Sequence, residues 1–170
     1  RRLLLLARPP THSLQLVVLD EALTDTLRLL EFDADSRKIV QRVDLPESQS
    51  RVLADEAEIR MIFLNLIQNA HHAMPTGGTL TARLVRQAGH AVIEIADTGI
   101  GMSAEHVAQI FDPFFSRRAD GVAGTGLGLT IVRSFVERMG GDIEVASAPG
   151  AGSRFRIRLP LAETALDQSP

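Results

Sequence analysis

The chain has 170 residues, 45% of them apolar and 23% charged, with a formal net charge of -3 and no cysteine. That length holds one domain with ragged ends, and the mildly acidic balance gives no general attraction to nucleic acid or to an acidic membrane surface. Without cysteine there is neither a disulfide framework nor a thiolate metal site, which fits a reducing cytosol, and no apolar run approaches the roughly 18 residues of a membrane span.

The opening Arg1-Arg2-Leu3-Leu4-Leu5-Leu6 has the flavour of a signal peptide, but its apolar run is short and meets Pro9-Pro10 at once. Residues 1–7 read instead as the last turns of a helix stopped by the prolines, which lack the backbone donor a helix interior needs. With no Met at position 1, the sequence is expected to be part of a longer one. Leu23, Leu27 and Leu30 recur at helical spacing behind a possible Asp20 cap, predicting a helix over 20–30. Strands are expected over 38–43 and 51–53.

The strongest helix spans 55–73, with Ile59, Ile62, Phe63, Leu66, Ile67 and Ala70 on one face and Pro75, Gly77 and Gly78 ending it. Strands over 79–86 and 91–96 follow. A short helix over 103–109 starts from a Ser103 cap, and residues 112–125, aperiodic and rich in small and charged side chains, read as a mobile loop. A helix over 127–139 ends at Gly140-Gly141, and strands over 142–147 and 153–159 close the domain. Adjacent strand pairs dominate, so a mixed sheet with helices on one face fits better than a doubly wound fold.

Three segments carry chemistry. Asn65 and Asn69 are four apart on the long helix and project one turn from each other. A carboxamide offers a neutral oxygen to a hard cation and an amide donor to a phosphate, although two solvated helix residues would look the same. Asp97-Thr98-Gly99-Ile100-Gly101-Met102 follows an apolar strand directly. Its carboxylate can accept the exocyclic amine of adenine, and its glycines let backbone approach a flat base; the plain alternative is a turn. An aspartic protease also presents Asp-Thr-Gly after a strand, but needs an all-β fold and a second carboxylate. Finally, Gly124-Thr125-Gly126-Leu127-Gly128-Leu129 precedes a helix, where successive N–H groups favour an anion. It is neither a Walker loop nor GxGxxG.

In order, Asn65-Leu66-Ile67-Gln68-Asn69-Ala70, DTGIGM, Phe111-Asp112-Pro113-Phe114-Phe115 and GTGLGL resemble the N box, first glycine box, F box and second glycine box of the sensor histidine kinase catalytic domain. Gly150-Ala151-Gly152-Ser153 resembles its further glycine turn, and Asn69-Ala70-His71-His72-Ala73-Met74-Pro75 looks like the nitrogen-regulation branch. The resemblance covers about residues 15–160. It implies a Bergerat-type ATP-binding fold, a two-layer α/β sandwich with a mixed sheet, helices on one face and a flexible lid over the nucleotide.

Carried onto this sequence, the resemblance implies that Asn69 ligates Mg²⁺ bridging the phosphates, with Asn65 in support. Asp97 recognises adenine, Gly99 and Gly101 shape the base pocket, and Thr125, Gly126, Leu127 and Gly128 cover the phosphates. Phe111, Phe114 and Phe115 seat the lid, although Phe111 reads equally as core. Many relatives place Lys or Arg where this chain has His72, and a histidine is only partly charged at neutral pH. Arg117 or Arg118 is the alternative source of that charge, against the plainer reading of solvated loop arginines. Gyrase-like and chaperone-like members of the superfamily carry a glutamate at the position of Asn65 as general base. An amide is not basic, so transfer to a protein side chain is favoured over hydrolysis.

None of His12, His71, His72, His90 and His106 is followed by an acidic residue, the usual context of the accepting histidine. Leu4-Leu5-Leu6-Ala7-Arg8-Pro9-Pro10 resembles the end of the family's second dimerisation helix, so the resemblance implies a remnant of that helix and its linker over 1–10, the catalytic domain over 11–160 and a tail over 161–170. The expected cofactors are ATP and Mg²⁺. The expected partners are the kinase's own dimerisation domain, carrying the acceptor, and a response regulator, within a homodimeric full-length protein that is cytoplasmic or membrane-anchored. No nucleic acid and no membrane contact are expected of this segment. The rival readings are a degenerate kinase used as a nucleotide-binding module and an anti-sigma serine kinase of the same superfamily.

Overall fold

The computed structural model describes residues 13–115 and 126–163. Its elements begin with β1 (Gln15–Val18), α1 (Leu19–Leu29), α2 (Glu31–Ser36), β2 (Ile39–Asp44), β3 (Arg51–Ala54) and α3 (Glu56–Ala73). They continue with β4 (Gly78–Gln87), β5 (His90–Asp97), α4 (Ala104–Gln109), α5 (Gly128–Arg138), β6 (Asp142–Ser147) and β7 (Ser153–Pro160).

α1 buries Leu19, Leu23 and Leu27, one per turn. It starts one residue before the expected cap: the Asp20 side chain turns across to accept the Ser50 N–H at 2.7 Å, tying α1 to the start of β3. Asp55 caps α3 by accepting the Ala57 N–H at 2.9 Å, and the apolar face expected from the sequence is buried. Ile59, Ile62, Phe63, Leu66 and Ile67 on that face are each almost fully excluded from water, worth about 1.5–3 kcal/mol apiece. Ser103 caps α4 as expected, by accepting the His106 N–H at 3.2 Å. The sequence reading contained neither β1 nor α2.

The main sheet has the order β2-β4-β5-β7-β6. β2 and β4 are parallel and the other pairs antiparallel, so the sheet is mixed. β1 and β3 form a separate antiparallel ribbon with Val17 opposite Val52, both buried. Side chains alternate across the sheet: Leu80, Ala82 and Leu84 of β4, Ile93 and Ile95 of β5, and Phe155, Ile157 and Leu159 of β7 are buried in the core with the apolar face of α3. The opposite face carries charged side chains on every strand. One row of directly opposed residues crosses all five strands as Asp44, Arg83, Glu94, Arg156 and Glu144, alternating in sign at every step. Arg83 pairs with Asp44 at 3.0 Å and Arg154 with Glu94 at 3.3 Å. Among the described residues no helix is long and apolar enough to cross a membrane.

Candidate functional site

A cavity of about 300 Å³ opens between the C-terminal turn of α3 and the loop after β5. Asn69, His72 and Ala73 line it from α3; Asp97, Ile100, Gly101 and Met102 from the end of β5 and its loop; His106 and Ile110 from α4 and its cap; and Ser153 and Phe155 from β7. The wall facing α3 is thus largely apolar, with one carboxylate, the Ser153 hydroxyl and the His106 imidazole, and the α3 wall holds an amide and an imidazole.

Three backbone segments meet at the base of the cavity at distances that exclude side chains. A Cβ on Gly99 would lie 2.2 Å from the Ala73 carbonyl oxygen, and that oxygen accepts the Ile100 N–H at 2.9 Å. The first glycine segment is therefore fastened to the last turn of α3. Gly101 has φ +66, and a Cβ there would lie 1.9 Å from the Ala148 carbonyl oxygen. Only glycine combines that left-handed conformation with so close an approach. On the far side the Gly150 N–H donates to the Ile100 carbonyl at 2.7 Å, and Ser147 Oγ accepts the Met102 N–H at 2.9 Å.

Asp97 is 8% exposed. Its Oδ1 accepts the Gly99 N–H at 2.8 Å and the Ser153 N–H at 3.3 Å, which fixes the carboxylate plane. No described residue hydrogen-bonds its Oδ2, the oxygen available to a ligand. Burial pushes the carboxyl above the usual range for an aspartate, and the two backbone N–H groups pull it part of the way back. A buried acceptor beside Ile100, Met102, Ile110 and Phe155 suits a flat heterocycle with an exocyclic amine, which adenine has and a simple hydrocarbon lacks.

At the other wall Asn69 offers a carbonyl oxygen. Among the described residues no group of three or more His, Asp or Glu side chains could hold a metal ion. A neutral amide oxygen suits a hard cation that also takes oxygen ligands from phosphate and water. That fits Mg²⁺ on a nucleotide.

The other expected site residues fall elsewhere. Asn65 does not line the cavity: its amide donates to the Met61 carbonyl at 2.8 Å, and a Cβ on Gly128 would lie 2.5 Å from its Oδ1. It abuts the N-terminus of α5. Gly99 backs onto α3 rather than facing the cavity, and the Gly126 carbonyl accepts the Phe114 N–H at 2.9 Å. Phe111 is half-buried beneath the Arg133 guanidinium at 5.5 Å, Phe115 meets His106 edge-on at 4.9 Å, and Phe114 is 77% exposed. Arg117, Arg118, Thr125 and most of the expected lid lie outside the described residues.

Sequence reasoning missed Ile110, Ser153, Phe155 and His106 as cavity residues. The first sits just past a six-residue helix, and Ser153 and Phe155 reach the site only through the β5–β7 register that sets Asp97 opposite Ser153.

Residues 54–163 match the family model described as "Histidine kinase-, DNA gyrase B-, and HSP90-like ATPase". The chain is 41% identical over 161 residues to the sensor histidine kinase ZraS of Klebsiella oxytoca, covering 94% of this chain and 34% of ZraS. The chain thus spans about a third of that relative's length. Among solved structures, full-length ShkA in complex with AMPPNP superposes with a TM-score of 0.79 at 29% identity, covering 92% of this chain and 33% of that one. The mycobacterial sensor histidine kinase MprB superposes with a TM-score of 0.77 at 27% identity, covering 88% of this chain and 98% of that one.

Proposed function

Because this chain belongs to the histidine kinase-, DNA gyrase B-, and HSP90-like ATPase family, we propose that it binds Mg·ATP and donates the γ-phosphate to a histidine carried by a separate dimerisation domain of the same sensor kinase. The observation that carries the reading is Asp97, a buried carboxylate with one oxygen fixed by backbone donors at the end of an apolar cavity. Its relatives ZraS and MprB are named sensor histidine kinases, and AMPPNP is the ligand named for ShkA.

Each residue then has a role. Asp97 Oδ2 accepts the adenine amine, where guanine would present a carbonyl and be repelled. Ile100, Met102, Ile110 and Phe155 cover the ring and exclude water. The Asn69 carbonyl oxygen would hold Mg²⁺, which would supply charge neutralisation at the phosphates. His72 and Arg118 supply donors to the phosphates, and Thr125, Gly126, Leu127 and Gly128 close over them with backbone N–H groups. Asn65, held against Gly128, positions the start of α5. In the transfer itself the acceptor imidazole nitrogen forms a bond to the γ-phosphorus as the bond to the β–γ bridging oxygen breaks and ADP leaves. Positioning and charge neutralisation supply the catalysis, without a nucleophile from this chain. The amide of Asn65, unlike a carboxylate, cannot deprotonate a water, so transfer is favoured over hydrolysis. The product phosphohistidine feeds a response regulator, and the domain works in the cytoplasm as part of a homodimer.

Two measurements test this. Mg·ADP at about 100 times its dissociation constant should stabilise the chain by about 2.7 kcal/mol, seen as a shifted melt. With γ-labelled ATP the chain alone should gain no acid-labile label, and adding the dimerisation domain should produce it. A melt indifferent to nucleotide, or stoichiometric acid-labile label on the chain alone, would overturn the respective half of the reading.

A further inference from the structure

His71 lies in the last turn of α3, between Asn69 and His72, yet it takes no part in lining the cavity. At about 100° per residue it projects roughly 200° round the helix axis from Asn69, to the opposite side. There it is 0% exposed, and its Nδ1 meets Asp33 Oδ2 of α2 at 2.7 Å. Its Nε2 is buried with no hydrogen-bond partner among the described residues. Asp33 is itself held from the other side by Arg37, whose Nε lies 3.0 and 3.2 Å from the two carboxylate oxygens. The carboxylate therefore has a fixed orientation before it meets the imidazole.

α2 grips the same region a second time. The Lys38 carbonyl, just past its end, accepts the Gly78 N–H at 3.4 Å, and a Cβ on Gly77 would lie 2.8 Å from that oxygen. His72 and the Ala73 carbonyl that fastens the Asp97 loop lie between these grips, and Asn69 lies two residues before the first of them. A buried imidazole hydrogen-bonded on one edge only is a weak way to gain stability, because a hydrocarbon would fill the same space without a desolvated ring nitrogen. What the hydrogen-bonded edge adds is a fixed rotation of the helix end.

We propose that Asp33 and His71 form a positioning pair, clamping the last turn of α3 from behind so that Asn69 faces the phosphates. This rests on the Mg·ATP reading above. Neither residue touches the nucleotide; both act through Asn69.

The test is a double-mutant cycle on the 170-residue chain, read by calorimetry with Mg·ADP and by NMR without nucleotide. Asp33→Ala and His71→Leu should each weaken Mg·ADP about three- to tenfold, the loss of one hydrogen-bonded constraint. His71→Asn, which keeps a donor near the Nδ1 position, should restore most of it. The effect of Asp33→Ala should vanish in an Asn69→Ala background and persist in an Asp97→Asn background. Without nucleotide, Asp33→Ala should move the side-chain amide resonances of Asn69. Unchanged affinity in folded Asp33→Ala and His71→Leu, or full additivity with Asn69→Ala, would overturn the pair as a positioning device. If the parent chain bound no nucleotide, the Mg·ATP reading would fall instead, and unmoved Asn69 resonances in Asp33→Ala would then decide against the pair.

Discussion

Asp97 is held in a conflict that function explains and stability does not. Its folded pKa is raised, chiefly by burial. For a group shifted upward, the stabilising contribution is present below the unfolded pKa and is lost as pH rises through the folded one. At neutral pH the ionised carboxylate therefore costs stability. Asp97→Asn keeps an oxygen for the Gly99 and Ser153 N–H groups and removes the charge. It should raise the melting temperature of the nucleotide-free chain at pH 7, flatten its decline as pH rises above the ordinary aspartate range of about 4, and weaken ATP by about 1.5–3 kcal/mol. Scanning calorimetry across pH and titration calorimetry with ATP check the two halves; a variant both less stable and equally tight would contradict them. That Asp97 ends an apolar strand before a glycine turn was legible, whereas its burial beside Ser153 depends on the register of β5 with β7. His71 was not legible as a buried residue, since its partner Asp33 is 38 positions away.

At the level of elements, α3 carries both the core and the site on different faces. Phe63→Ala, at the centre of its buried face, should cost about 3–5 kcal/mol in denaturant melts and leave the m-value unchanged. A loss below about 1 kcal/mol would mean that the core is not packed around this ring. Arg138 of α5 forms a short ion pair with the largely buried Glu58 of α3 and lies over the Phe135 ring at 4.9 Å, so the helix after the second glycine segment is locked to the helix bearing Asn69. The long helix was legible from its apolar period and its proline and glycine stop, whereas the Asp55 cap was not read. α2 was not: it has six residues, buries only Ala34 and shows no apolar period. Its stability comes from what it touches. β1 is four residues long and gains its partner only from β3, where Leu16 pairs with Leu53. Pairings that distant leave no local trace.

Across the whole molecule the apolar side of the sheet was readable strand by strand, whereas the charged row on the other side depends on register and emerges only when five strands are aligned. Each step of that row is a solvent-facing pair worth about 0–1 kcal/mol, so its role is collective. Arg83→Glu would set three carboxylates side by side with Asp44 and Glu94. It should destabilise by about 1 kcal/mol at ~0.01 M salt and recover near ~1 M, where the screening length falls from about 30 to 3 Å. Melts at the two ionic strengths check this, and a salt-independent loss would show that packing rather than charge is responsible. The alternating row also makes the molecule two-sided in its answer to salt. A protein that docks against the helices leaves the row wet, and the complex keeps the free domain's ionic-strength dependence of melting. One that docks on the sheet must strip water from the row, and that dependence changes. A salt series on any complex of this domain thus reports which side has been covered, without a structure of the complex.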